Sequence, residues 1–207
     1  MTGQDREGKA GDLKFEVLKG HEITTVLADL ARLRITVFRA FPYLYDGDET
    51  YERRYLETYA RSSGAIAVIA RTSTGEIVGA ATAAPLGDHQ PQLAKDFLDV
   101  GIHPAEVFYL GESVLLADYR GQGAGHRFFD AREAAGREQG YAIAAFCGVV
   151  RPTDHPARPQ DYQPLDGFWQ KRGYRPVDGL VSTMTWRDIG AGHETEKPMQ
   201  FRMRRLD

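Results

Sequence analysis

Arg120, Gly121, Gly123 and Gly125 fall within one short run, Asp118-Tyr119-Arg120-Gly121-Gln122-Gly123-Ala124-Gly125-His126, whose residue types suit the grip of a phosphorylated ligand. Glycine admits backbone conformations closed to other residues and lets a ligand come close to its amide. An apolar run precedes the glycines and a helical pattern follows them, so the free N–H groups of the first helical turn point into the same space. The spacing excludes two common phosphate loops. A P-loop needs lysine and then serine or threonine after its last glycine, and Gly125 is followed by His126 and Arg127. The dinucleotide fingerprint needs a glycine three places after Gly123, where His126 stands. Glu112 is the second group with chemical potential. It is a lone carboxylate in the apolar run 107–116, where loss of solvation favours the neutral form, as expected of a base working near neutral pH. Strand alternation puts it on the face of Leu110 and Val114.

Periodicity gives the elements that must hold these groups. A strand over 13–18 opens the chain. A helix over 23–38 follows, with Val26, Leu27, Leu30, Leu33 and Val37 at helical spacing and Arg32 and Arg34 on its outer face. Pro42 and Gly47 interrupt it, leaving an aromatic loop before a second helix over 49–61. Strands at 65–71 and 77–84 are joined by Thr72-Ser73-Thr74-Gly75-Glu76, a hairpin turn. The stretch 88–103 allows a short helix through Leu93, Phe97 and Leu98. The longest apolar strand, 107–116, feeds the glycine loop. The helix after it, 123–139, turns Ala124, Phe128, Ala131 and Ala135 inward and Arg127, Asp130, Glu133 and Arg137 outward. Gly140 stops that helix, and 141–150 is an apolar strand covered on both faces. Strand, loop, helix and strand make a crossover between parallel neighbours, right-handed by the general rule. The loop 151–164 carries four prolines and is long enough to act as a lid. A short helix over 165–172 and strands at 181–189 and 200–206 complete the order.

At 207 residues the chain fits one domain, expected over 13–207, behind a disordered polar tail over 1–12. The tail has no apolar stretch for a signal peptide or membrane span. Charge is nearly balanced at −3, with no basic run or basic-aromatic interleaving, so no nucleic-acid or membrane partner is expected. The lone Cys147 cannot form an internal disulfide, which is compatible with a reducing cytoplasm. The six histidines show no ligand spacing with Cys, Asp or Glu, so no metal is expected.

The pattern Arg120-x-x-Gly123-x-Gly125 resembles the cofactor signature of the GNAT superfamily of acyl-CoA N-acyltransferases. A second segment, Leu165-Asp166-Gly167-Phe168-Trp169-Gln170-Lys171-Arg172-Gly173-Tyr174, resembles the family's later helix, and the order of elements agrees over roughly the whole of 13–206. The resemblance implies an α/β fold with a mixed, mostly antiparallel sheet flanked by helices and with its central parallel strands splayed. Those strands would be 107–116 and 141–150, and their gap would take the pantetheine arm of acetyl-CoA like an added strand. By the same resemblance the cofactor is held by Val114, Leu115, Leu116, Arg120, Gly121, Gln122, Gly123, Ala124, Gly125 and His126, with Trp169 and Arg172 from the later helix. There are two departures. Ala117 replaces a proline common before the motif arginine. Trp169 stands where many members have a tyrosine that protonates the leaving thiolate, and an indole N–H cannot do so.

The activity implied is transfer of an acetyl group from acetyl-CoA to a primary amine of a small molecule. Glu112 is then the base, and backbone N–H groups near Val114 and Leu115 stabilise the oxyanion. With Trp169 unable to donate, Tyr162 is the candidate proton donor to the thiolate, beside Tyr174, Cys147 and water. The acceptor pocket is expected between the loop 38–46 and the loop 151–164. Phe41, Tyr43 and Tyr45 would be its walls, His155 would lie near the acceptor, Asp46 and Asp48 would suit an ammonium, and Arg151 and Arg158 a carboxylate. Both signs of charge are present, so the acceptor's charge stays open. A non-catalytic acyl-CoA sensor and a protein or peptide acetyltransferase are the other readings, and the family often forms homodimers.

Overall fold

A computed structural model describes residues 13–207, and the tail expected over 1–12 lies outside them. The chain runs β1 (Lys14–Lys19), α1 (Leu27–Phe38), α2 (Glu49–Arg61), β2 (Ile66–Arg71), β3 (Ile77–Pro85), α3 (Leu86–His89), α4 (Ala94–Asp99), β4 (Val107–Leu115), α5 (Ala124–Glu138), β5 (Ile143–Val149), α6 (Asp166–Lys171), β6 (Arg175–Trp186) and β7 (Thr195–Arg205). Seven strands form one sheet in the order β1-β2-β3-β4-β5-β7-β6. Every neighbouring pair is antiparallel except β4 and β5. Helices cover both faces. On one, Leu30, Leu33, Leu56 and Tyr59 of α1 and α2 pack on Ala67, Ile69, Ala80 and Val114. On the other, Phe128, Phe129 and Ala135 of α5 pack on Val68, Ala81, Phe108 and Leu110. No helix among the described residues is long and apolar enough to cross a membrane.

Several expected boundaries move, for local reasons. The first helix begins as a 3-10 segment over Gly20–Val26, where Thr24 and Thr25 hydroxyls donate to the His21 and Glu22 carbonyls. Such side-chain bonds compete with the regular helical ladder. β6 starts at Arg175 because Arg175 and Pro176 pair with Met203 and Arg202 ahead of a register shift, and β7 starts at Thr195 because Val181–Trp186 pairs across a hairpin with residues 195–200. The polar Glu196 and Lys197 within that ladder masked the strand.

Two charged residues expected to face solvent, Arg34 and Glu133, lie inside, and so does Arg132. Arg34 is buried because its guanidinium bonds to both Glu52 and Glu112 and lies between the rings of Phe38 and Tyr55. Glu133 is buried because it accepts from Arg172, Arg204 and the Tyr174 hydroxyl. Arg132, fully buried on α5, donates to the carbonyls of Phe128, Thr82 and Glu112 and to the Ser113 hydroxyl. Burial lowers its pKa to about 10, which still leaves it charged at neutral pH.

Arg132 anchors the irregularity that aims Glu112. The β3–β4 register shifts between Ala81, which faces Ser113, and Ala83, which faces Leu110. Thr82 therefore opposes both Gly111 and Glu112, a β-bulge that interrupts alternation. Leu110 packs toward α5, whereas Val114 packs toward α1. Glu112 thus shares the face of Val114 and lies opposite Leu110, correcting the simple alternating assignment.

Candidate active site

The β4–β5 ladder spans only Val107–Tyr109 against Ile143–Ala145. Past that point β4 stays bonded to β3 and β5 to β7, so the two central strands part and leave facing edges without a strand partner. Backbone direction alternates along a strand. The Leu116 N–H donates to Val78 of β3, so the Val114 N–H turns the same way and the Leu115 N–H turns into the gap. Of the two amides expected to face a developing oxyanion, Leu115 alone is on that edge.

The glycine loop lies at the end of β4. Gly121 and Gly123 have φ of +77° and +82°, in the left-handed region that disfavours side chains. Among the described residues, the backbone N–H groups of residues 121–125 find no protein acceptor. His126 and Arg127 N–H groups close the first turn on the Gly123 carbonyl. Five backbone N–H groups left open at the start of a fifteen-residue helix suit an anion such as a diphosphate, so the residues present fit the group implied by the motif. Arg120 donates from Nε to the Leu115 carbonyl at 3.1 Å and joins the loop to the gap edge.

The remaining residues expected near a cofactor divide. Trp169 lies on the gap strand β5, its ring 3.5 Å from where a Cβ of Gly148 would stand, with Phe146 beside it and Arg202 above it. Arg172 instead turns onto α5, bonding Asp130 and Glu133 and lying 3.1 Å from His126 Nδ1. Leu116 lies at the start of the loop, Gln122 is exposed between its two left-handed glycines, and Ala124 is buried at the start of α5.

A cavity of about 620 Å³ opens beside the gap. Its walls include Tyr43, Tyr45, Tyr51, Tyr55 and Trp186, and its floor holds Arg34, Gly111 and Glu112. Tyr109 and Cys147 line it at the point where β4 and β5 part, with the Tyr109 hydroxyl 3.4 Å from the thiol. Burial pushes the Cys147 thiol up to about 11, so it stays protonated at neutral pH. Burial also raises the phenols of Tyr43, Tyr55 and Tyr109 above their ordinary value.

Glu112 is buried and paired. Its Oε2 accepts from Arg34 Nη1 at 2.6 Å and from the Tyr55 hydroxyl at 3.3 Å, while its Oε1 has no hydrogen-bond partner. Orphaned buried carboxylate oxygens are rare, and this one belongs to a residue of the cavity floor. Arg34 also binds Glu52 of α2, so one guanidinium bridges two carboxylates. The sequence missed Arg34, Glu52, Tyr55 and His89. The helical spacing of Tyr51, Tyr55 and Tyr59 was visible, but nothing in it marked Arg34 as their partner.

His89 extends this polar chain, with Nδ1 2.6 Å from the Thr58 hydroxyl and Nε2 3.2 Å from the Tyr55 hydroxyl. Burial first, and the charge of Arg34 second, lower its pKa from 6.5 to about 3. Between those values the unfolded chain binds a proton that the folded chain refuses, so stability falls as pH falls through that window. Lowering pH from 6.5 to 4.5 should therefore remove about 2 kcal/mol through His89. Urea unfolding at both pH values should show that loss in the wild type and a correspondingly smaller one in His89→Gln. Equal losses in both proteins would show that the folded state tolerates the charged ring.

The acceptor loops are not arranged quite as the sequence suggested. Tyr43 and Tyr45 line the cavity, but Phe41 does not. It packs on Tyr162 with ring centroids 4.7 Å apart and on His155 at 5.8 Å. Tyr162 is half-buried under Arg158, and burial raises its pKa, which keeps its hydroxyl protonated. His155 accepts from the Ala157 N–H. Arg151 has every guanidinium nitrogen committed, bidentate to Asp188 and bonded to the carbonyls of Pro42 and Tyr43. It fastens the aromatic loop against the β6–β7 connection and is not free to hold a carboxylate. Tyr174 is buried, and its hydroxyl faces Glu133 away from the cavity.

Solved structures of other proteins share this fold. Among curated proteins none matches the chain. A Desulfovibrio desulfuricans protein described as an acetyltransferase of the GNAT family superposes with a TM-score of 0.58 at 13% identity, over 95% of this chain and 100% of that one. An Acinetobacter baylyi protein described as an acetyltransferase gives 0.60 at 13% identity, over 95% and 94% of the two chains. The Salmonella typhimurium protein yncA, classed as an acetyltransferase and solved with its cofactor acetyl-CoA, gives 0.58 at 9% identity, over 95% of each chain. At these identities the likeness is one of fold. The sequence profile of the Acetyltransferase (GNAT) family matches residues 30–174, from within α1 through the glycine loop to Tyr174, and the chain belongs to that family.

Proposed function

We propose that this chain is an acetyl-CoA-dependent N-acetyltransferase whose acceptor is the primary amine of a small molecule. The observation that carries this reading is the unpartnered Oε1 of Glu112, buried at the floor of a cavity that meets the opening between β4 and β5. When bound, acetyl-CoA supplies an activated acetyl group, whose carbon–sulfur bond breaks as the carbon–nitrogen bond forms. The N–H groups of residues 121–125 would hold its diphosphate, and the open edge of β4 its pantetheine arm.

Glu112 Oε1 accepts a proton from the incoming ammonium and leaves a neutral nitrogen to attack. An ammonium loses two protons over the reaction, one of which ends on the released thiol and the other in solvent. The Leu115 N–H offers a fixed donor to the developing oxyanion, worth a few kcal/mol where preorganised. Tyr162, held protonated, remains our assignment for the proton that the thiol takes up. The Tyr109–Cys147 pair also carries protons at the mouth of the gap. An aromatic cavity of about 620 Å³, its loop fastened by Arg151, favours a small molecule over an extended peptide. The lone Cys147 suits a reducing cytoplasm.

Free-thiol detection with acetyl-CoA and a panel of small amines tests this reading. Amine-dependent thiol release supports it. Saturable acetyl-CoA binding with no release across the panel would mean that the chain is a sensor.

A further inference from the structure

Resting on that reading, we infer that the acceptor is a monoamine cation carried on an aromatic or apolar body, and that free α-amino acids are rejected. Among the ionisable residues that line the cavity, Arg34 is the only one carrying a positive charge at neutral pH, since buried His89 is neutral. Its charge is already shared. Arg34 Nε bonds Glu52, Nη1 bonds Glu112, and its flat faces lie on Phe38 and Tyr55. With both carboxylates ionised, the three residues carry one net negative charge. The nearby cations are spent elsewhere. Arg151 is bidentate to Asp188, and Lys197 bonds the carbonyls of Trp186 and Thr195.

Among the fully buried side-chain atoms of the residues lining this space, Glu112 Oε1 is the one without a hydrogen-bond partner, and it can only accept from a donor. An ammonium satisfies it in charge and in hydrogen bonding. The walls above it are rings, with Tyr51 and Tyr55 stacked 9° from parallel and Tyr43 beside Trp186. Rings of this kind bury an apolar body and attract a cation to their faces. A carboxylate on the acceptor's α-carbon would sit within reach of the same net negative cluster. A like-charge contact in a desolvated site is costly, while nothing on the cavity floor repays it.

The experiment compares 2-phenylethylamine, L-phenylalaninamide and L-phenylalanine on the wild-type protein. The amide matches the acid in bulk and lacks its charge. Two readouts are taken: calorimetric binding of each compound in the presence of coenzyme A, and thiol release with acetyl-CoA. The two uncharged-tail amines should bind and react within about tenfold of each other, and the acid at least about 100-fold less well, as expected for an uncompensated like charge. Equal or better binding of phenylalanine would overturn the inference and make Arg34 a carboxylate anchor. Failure of the two aromatic amines while an aliphatic diamine reacts would also overturn it, yet leave N-acetyl transfer intact. Selective binding of the aromatic amines with no thiol release would uphold the ligand class and refute transfer.

Discussion

Replacing Glu112 with glutamine is expected to lower kcat/KM for the acceptor amine about 10²–10³-fold, with acetyl-CoA affinity unchanged within about twofold. Glutamine keeps the size of the side chain and an oxygen that can accept from Arg34. It removes the ability of Oε1 to take a proton. The second consequence is in the pH profile. Without a base, turnover depends on amine that has already lost its proton to solvent. The variant's rate should then climb with pH toward the amine's own pKa, and the deficit should shrink in alkaline buffer. Arg34 retains Glu52 as a partner, so the cluster is weakened without being dismantled. Steady-state kinetics from pH 6 to 9.5 on both proteins, roughly spanning the amine's titration, provide the check. An unchanged rate and profile would show that Glu112 is only the structural partner of Arg34.

Gly123→Val should weaken acetyl-CoA binding at least about 100-fold, because each charge-assisted bond to an anion is worth roughly 1.5–3 kcal/mol and several converge here. Gly123 has φ of +82°, and a Cβ there meets nothing within 4 Å. Valine therefore meets a backbone penalty of about 1–2 kcal/mol, which shifts the loop away from the conformation that leaves its amides open. Loss of binding through general destabilisation is separable from loss through the loop. Gly75 has φ of +90° and equally open surroundings, and it belongs to the β2–β3 turn rather than to the loop that follows β4. Gly75→Val carries the same backbone strain and should leave affinity unchanged.

The cofactor loop was legible in the sequence because it depends on backbone alone. Glycine spacing, the preceding apolar strand and the following helix state it directly, and the loop's open amides follow from local geometry. The cavity was only half legible. Tyr43 and Tyr45 stood out because an aromatic loop is unusual, and both line the cavity. Arg34 was placed outside because periodicity assigns a charged residue to solvent unless its partners are known. Those partners, Glu52 and Glu112, lie 18 and 78 residues away. Glu112's direction failed for a related reason. A bulge shifts alternation by one residue, and the device that supports it is Arg132, which sits on a different element. Arg151 was identified as important but for the wrong contact. Its partner Asp188 belongs to the β6–β7 connection, whose approach to the aromatic loop no local pattern predicts.

The proposed transfer depends on acetyl-CoA being held by main-chain donors at the start of α5. Isothermal titration of acetyl-CoA into the wild type, Gly123→Val and Gly75→Val measures this directly. One saturable site in the wild type and in Gly75→Val, lost in Gly123→Val, is the expected result. No binding to the wild type, or equal affinity in all three proteins, would contradict it.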